Sequence, residues 1–529
     1  MSFVIPVGID LGTTNSAAAI VTAAGQTEMV PNEFGEVLTP SAVFFAPQGV
    51  IVGNEALKAA EYAPETVIES PKRFMGLPDC ERTIHGYRPA PEVVQALILR
   101  QLRRDIEAVM EDAFEVVITV PAFFDEVRRQ RTVTAGEMAG LKVLDVVNEP
   151  TAAALAFGEQ LGYLRSGGER QEPLSLLVYD LGGGTFDVTA IRMAAADIRT
   201  LATGGDVHLG GRDWDRRLVD YVSQKFEARR RMDPREDMET TARLAHQVNE
   251  AKHTLAVRRH TKVSVDYARE HLEVSISRET FEDLTESLAD RTLVTVREVM
   301  DAADLEWAAV SKILLVGGAT RMPSIAKSLE RESGVAPESI VNPDEAVARG
   351  AAIRAAARLA ERDGQPSLIQ CRIVDVNSHS LGIEGIDRST DSKVNTILIP
   401  RNTPLPAIVT KRFVTKETNQ KSIAIRVLEG EHSRPEDCLL LGKAVLRGLP
   451  DSARRSRPVD VTYEYDAGGR LRVRAELPRS DHRIEVQLQR DQTLRARDVE
   501  AWKKALSEES RLTFEQLLEQ FIRESIPDE

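Results

Sequence analysis

The chain has 529 residues, 42% hydrophobic and 28% charged, and a formal net charge of −14. That length exceeds one hydrophobic core and calls for two to four domains, while the acidic balance argues against nucleic acid as the main partner. There is no basic leader running into an apolar stretch and no apolar run of membrane-spanning length, so neither a signal peptide nor a membrane partner is expected. Cys80, Cys371 and Cys438 lie far apart and form neither zinc-type pairs nor a disulfide framework, which fits a reducing cytoplasm.

Phe3 to Ile9 is an apolar run that reads as a buried strand, and Ala17 to Val21 reads as a second. Between them lies Asp10-Leu11-Gly12-Thr13-Thr14-Asn15-Ser16. Glycine lets such a loop turn tightly against an anion, free amides and threonine hydroxyls can donate to phosphate oxygens, and the leading Asp suits Mg²⁺ or its water shell. Lys72 follows a proline and, on its own, reads as a solvated surface lysine. Helices are expected over Glu92 to Met110 and Val127 to Ala139, with a strand from Glu115 to Val120 that stops at Pro121.

The loop pattern then returns. Leu174 to Tyr179 leads into Asp180-Leu181-Gly182-Gly183-Gly184-Thr185-Phe186-Asp187, and Val188 to Ile191 follows. Two such loops facing each other could hold a nucleotide's phosphates from both sides. No Walker-type or Gly-x-Gly-x-x-Gly fingerprint occurs. A charged helix is expected from Met238 to Leu255, and a strand from Ile313 to Val316 runs into Gly317-Gly318. The alternation of strands and helices to about residue 360 predicts an α/β unit, bounded by the polar stretch 361–367. Beyond it, short alternating runs (Ser422 to Val427, Val459 to Tyr465, Leu471 to Ala475, Ile484 to Leu488) predict an antiparallel β-sandwich. The tail from Arg497 reads as helix, with one apolar stripe through Val499, Trp502 and Leu506 and another through Phe514, Leu517, Leu518, Phe521 and Ile522.

The two loops are joined by Asn148-Glu149-Pro150-Thr151-Ala152-Ala153-Ala154, by Gly205-Asp206-Val207-His208-Leu209-Gly210-Gly211 and by Val316-Gly317-Gly318-Ala319-Thr320-Arg321-Met322-Pro323. In this order they resemble the DnaK-type chaperones of the seventy-kilodalton heat-shock class. The likeness continues through Ser380 to Glu384, Ile399 to Asn402 and Asn419-Gln420. It implies a two-lobed actin/sugar-kinase-like ATPase domain (1–362), an interdomain linker (363–375), a β-sandwich peptide-binding domain (376–492) and a short helical tail, a reduced lid (493–529). The cofactors implied are ATP or ADP with Mg²⁺, with K⁺ left open.

Carried over residue by residue, Gly12, Thr13, Thr14 and Asn15 would hold phosphate from one lobe and Gly182, Gly183, Gly184 and Thr185 from the other. Asp10, Glu149 and Asp180 would surround Mg²⁺, mostly through water, and Lys72 would place the attacking water. Lys252, His253, Gly317, Gly318 and Arg321 would form the adenosine side. There Asn249, His253 and Ala256 depart from the family's usual Glu, Arg and Ser, so a weaker grip on ATP is expected. Pro121, Arg129 and Asp375 would relay nucleotide state between domains, and Ile383, Ile386, Phe413, Ile423 and Ile425 would line or support the peptide groove. Lys416 and Arg470 stand where small or apolar groove residues are usual, implying a narrower or more basic groove.

Four departures bear on mechanism. The segment Gly76 to Pro91 is short, Arg372 interrupts the linker's apolar run, and Asp145 reverses the charge of an arginine that would meet a J-domain. The tail has room for one or two lid helices only, so rapid peptide release is expected. The resulting expectation is an ATP-hydrolysing chaperone acting on unfolded or extended client peptides, with a specialised J-domain co-chaperone or none and an exchange factor left open. The alternative is a nucleotide-responsive scaffold for one dedicated partner.

Overall fold

Two β-sheets of like construction carry the first 364 residues. The computed structural model describes residues 4–164, 172–194, 197–338, 342–364, 371–387, 389–416, 420–447, 457–466, 471–478, 483–486, 494–507 and 512–525. In the first lobe, strand Ile5–Asp10 pairs antiparallel with Asn15–Val21 and parallel with Phe114–Val120. In the second, Leu174–Leu181 pairs antiparallel with Phe186–Ala194 and parallel with Lys312–Val316. The registers match: Asp10 lies opposite Ala17, and Asp180 opposite Asp187. Each hairpin therefore delivers an aspartate and a glycine-containing turn to the same end of its sheet.

Between the sheets run helices Glu149–Gln160 and Ala346–Asp363, rich in alanine because the backbones nearly touch. A Cβ on Gly350 would lie 1.7 Å from the Ala152 carbonyl oxygen, so only glycine fits.

The fold is α/β followed by a β-sandwich and a helical tail. One sheet runs Lys393–Ile399, Leu381–Ile386, Ser422–Glu429, Leu439–Arg447 and the other Ala407–Val414, Pro458–Tyr465, Leu471–Glu476, Arg483–Val486; between them lie Ile383, Ile425, Val427, Val461, Tyr463 and Val473. Strict alternation explains the burial: in Leu471–Glu476 every second side chain is buried and the rest face water. The expected strand to Leu488 is observed as Arg483–Val486, and 487–488 lie outside the described residues, as do Asn419, Arg470 and linker residues 365–370.

The linker differs from expectation. Arg372–Val374 adds to the second-lobe sheet, pairing parallel with Asp197–Asp206. Period two turns Arg372 to solvent and packs Ile373 against the interlobe core, so the arginine does not block docking.

The tail forms helices Ala496–Ser507 and Phe514–Ser525, seated on the first lobe. Trp502, Ala505, Leu506, Phe514 and Leu517 belong to the same buried cluster as Val7, Phe45, Val93 and Leu97. Phe514 packs on Phe45 and Tyr87, their ring centroids 4.5 and 6.0 Å away, and Trp502 stacks on Phe521 at 4.6 Å. Each such large apolar side chain contributes about 1.5–3 kcal/mol when fully buried. The short segment 76–91 folds beneath this hairpin, with Cys80 and Ile84 fully buried.

Candidate functional site

The two loops meet across the cleft between the lobes. A Cβ on Gly183 would strike the Thr14 hydroxyl at 1.9 Å, and one on Gly184 the Thr13 methyl at 2.5 Å. Glycine at both positions keeps a cradle open that any side chain would fill. Ion pairs Arg212–Glu69 (2.6 Å) and Arg73–Asp213 (3.3 Å) also span the lobes.

Lys72 is no surface lysine. Ser70 adopts a left-handed φ of 54°, an uncommon and costly shape for serine, at the start of the turn Pro71–Phe74 that carries Lys72 inward. The ammonium is buried, donating to the Leu11 carbonyl (2.7 Å) and the Glu149 carboxylate (2.5 Å). Glu149 itself occupies the first turn of its helix, where the macrodipole favours negative charge.

Around this lysine stand Asp10, Glu149, Asp180 and Asp187. Desolvation, then Glu149, pushes Asp10 up to about 7; the same two causes push Asp187 up to about 7. Desolvation, followed by Glu149, Asp187 and Asp10, raises Asp180 well above the carboxylate range. Four acids facing one lysine form a site short of positive charge. Among the described residues no three metal-ligating side chains of Asp, Glu, His or Cys converge on one point. The surplus of acidic oxygens suits a hard cation.

On the adenosine side Lys252 is held by Asp215 (2.8 Å) and the Gly211 carbonyl (3.2 Å), and Asn249 donates to the same Asp215. Arg321 pairs with Asp344 at 2.6 Å. Desolvation, then Lys252, lowers the His253 pKa, keeping a neutral ring suited to stacking. Asp187, Asp215 and Asp344 escaped sequence reasoning as site residues. For Asp187 the signal was present, since it closes the second loop's hairpin opposite Asp180.

The relay residues come together. Pro121 ends its strand at a turn whose Ala122 and Phe123 amides donate to Asp187 (3.2 and 3.0 Å). The carbonyls of the same two residues accept from β-domain side chains, Ala122 from Ser378 and Phe123 from His379 Nε2 (3.0 Å). Arg129 braces the turn through the Ala122 and Phe124 carbonyls and Asn148. Asp375 accepts from Thr200 (2.6 Å) and Thr151 (3.2 Å). Arg129, Asp375 and Glu429 line a cavity of about 40 Å³ between lobe, linker and β domain.

One expectation needs correction. Asp145 does not face outward as a repulsive charge: it is buried and paired with Arg354 (3.0 Å) and Arg358 (3.3 Å). Of the five residues expected to line or support a groove, Ile383 and Ile425 are buried in the sandwich core, Phe413 and Ile423 are half-buried against it, and Ile386 is exposed. Lys416 bridges the two loops flanking this face by pairing with Asp391 at 2.8 Å.

Paired phosphate loops in an interlobe cleft, joined by a docked linker to a β-sandwich, define a two-domain ATPase. The Hsp70 protein family model matches residues 6–87 and 79–517, and the chain belongs to that family. It is similar to the chaperone protein DnaK of Thermotoga neapolitana, 39% identical over 479 residues that cover 89% of this chain and 78% of that one. The chaperone protein DnaK of Halobacterium salinarum is 38% identical over 476 residues, 89% of this chain and 72% of its own.

Proposed function

We propose that the chain binds and releases extended apolar segments of client proteins in a cycle driven by Mg²⁺-ATP hydrolysis at the interlobe cleft. As an Hsp70-family member it is an ATPase and an ATP-dependent molecular chaperone. The observation that carries the coupling is the turn after Pro121: one edge is bonded to Asp187 beside the phosphate loop, the other to Ser378 and His379 of the β domain. A shift of the acidic cluster on hydrolysis reaches the β domain through a single turn.

In this reading Gly12, Thr13, Thr14 and Asn15 face Gly182 to Thr185 across the phosphates. Asp10, Glu149 and Asp180 would hold Mg²⁺, and Asp187 leaves negative charge for a further cation such as K⁺. The bound ion supplies positive charge to the phosphate oxygens as charge shifts in phosphoryl transfer. Lys72, pinned by Glu149 and the Leu11 carbonyl, positions the attacking water and offsets γ-phosphate charge. Lys252, His253, Gly317, Gly318 and Arg321 take the adenosine. Exposed Ile386, with Phe413 and Ile423 beside it, offers apolar burial to an extended peptide over the Ile383 and Ile425 support.

We place the ATPase domain at 1–362, the linker at 363–375, the β domain at 376–492 and the tail at 493–529. A specialised J-domain protein and an exchange factor are the helper classes to seek. Among the described residues no helix is long and apolar enough to cross a membrane, and we place the chain in the cytoplasm.

The test is steady-state ATP turnover with and without an extended apolar peptide. Lys72→Ala is expected to reduce turnover by roughly 10²–10³-fold, the scale of losing one preorganised electrostatic group, and peptide to raise wild-type turnover. Turnover indifferent to every peptide would instead indicate a dedicated scaffold.

A further inference from the structure

We infer that the C-terminal hairpin, Ala496–Ser507 with Phe514–Ser525, is a fixed part of the first ATPase lobe in every nucleotide state, so the peptide groove works without a travelling lid. The inference rests on the peptide-binding reading above.

A lid that shuttles between two seats needs a face able to leave one of them. Here Trp502 and Leu517 are fully buried and Phe514 nearly so, in one continuous core with the lobe's central strand residues Val7 and Ile9. The short segment 76–91 makes room for this. Its Tyr87 ring lies tilted against Phe514 with centroids 6.0 Å apart, and its His85 faces Glu515 at 3.4 Å. Remove the hairpin and Phe45 loses the Phe514 ring packed on it at 4.5 Å.

The tail also hydrogen-bonds to the lobe. Arg100 donates to the Leu506 carbonyl (3.4 Å), and the Val50 amide to the Leu512 carbonyl (3.3 Å). Undocking would break both contacts and expose the hairpin's apolar face to water.

Finally, the hairpin keeps nothing back for a peptide. Among its described residues Ile522 is the only exposed large hydrophobic. A lid over apolar clients would need a second apolar face, and this one is already used.

The experiment locks the hairpin in place. In the full chain carrying Cys438→Ser, Val50→Cys and Leu512→Cys place two thiols on adjacent backbones, and reduced and oxidised forms are compared for release of a fluorescent apolar peptide with ADP and on adding ATP. The inference expects release rates equal to within about threefold, since nothing that governs residence has been immobilised. Oxidation that speeds release with ADP beyond that range would show that the hairpin normally reaches the groove, and would overturn it. Should the reduced protein bind no peptide, the functional reading fails separately. The hairpin is then read by hydrogen exchange, where equal protection of Ala496–Ser507 with ADP and ATP upholds the inference and loss with ADP overturns it.

Discussion

The tail hairpin meets the first lobe through Trp502, Leu506, Phe514 and Leu517, whereas the β domain meets the same lobe mainly through Ser378, His379 and Glu429. One seat is apolar core. The other is a set of hydrogen bonds around a small cavity, with Val127 its one residue in the sandwich core. Water can replace each hydrogen bond at a net cost of only about 1 kcal/mol, but cannot replace a buried Trp. Two modules attached to one lobe thus differ in what it takes to release them, and the polar seat is the one bonded through a single turn to Asp187 of the acidic cluster.

The largest expected effect comes from the apolar seat. Trp502→Ala should destabilise the first lobe by about 3–5 kcal/mol, the range for emptying a core of a large aromatic. Denaturant unfolding with hydrogen exchange on strand Ile5–Asp10 would measure it, and an unchanged lobe would erase the contrast.

Asp375→Ala comes next. It removes the acceptor shared by Thr151 and Thr200, worth about 1–3 kcal/mol. The expected outcome is ATP turnover that peptide no longer stimulates, with first-lobe stability unchanged. If this variant unfolded the lobe as Trp502→Ala does, the two seats would not differ in kind.

The smallest effect sharpens the polar seat. Glu429 is buried and accepts the Glu126 amide (3.2 Å); desolvation, then Asp125 and Glu126, raises its pKa well above 4.5, and Arg129 opposes them. The docked carboxyl therefore holds its proton at pH values where a solvated one has lost it. Docking gains from this group are full below pH about 4.5 and fade as pH rises through the higher docked value. Glu429→Gln keeps an acceptor without the charge, and should flatten the alkaline loss of domain docking followed by interdomain energy transfer.

Much of this site was legible because its signals are local. Strand, aspartate, glycine turn and second strand are contiguous, so both hairpin turns could be read directly, and alternation marked the sandwich. What escaped depends on distance along the chain. Asp145 gives no sign of being paired until helix Ala346–Asp363 brings Arg354 and Arg358 to it. Arg372 looked disruptive as a letter in a run and is harmless as the outward residue of a paired strand. The tail's stripes were visible, but their destination depends on a lobe more than 400 residues away in sequence, as the Arg100 to Leu506 contact illustrates (|i−j| = 406).

That separation matters while the chain is being made. Synthesis at a few to some twenty residues per second favours folding of N-terminal units first. The first lobe breaks this order: its central strand emerges at the outset, yet Phe514 and Leu517 of its core emerge after the second lobe and the sandwich. Through most of translation Phe45 and Tyr87 await the Phe514 ring, so a chaperone of other chains would itself be a client while nascent.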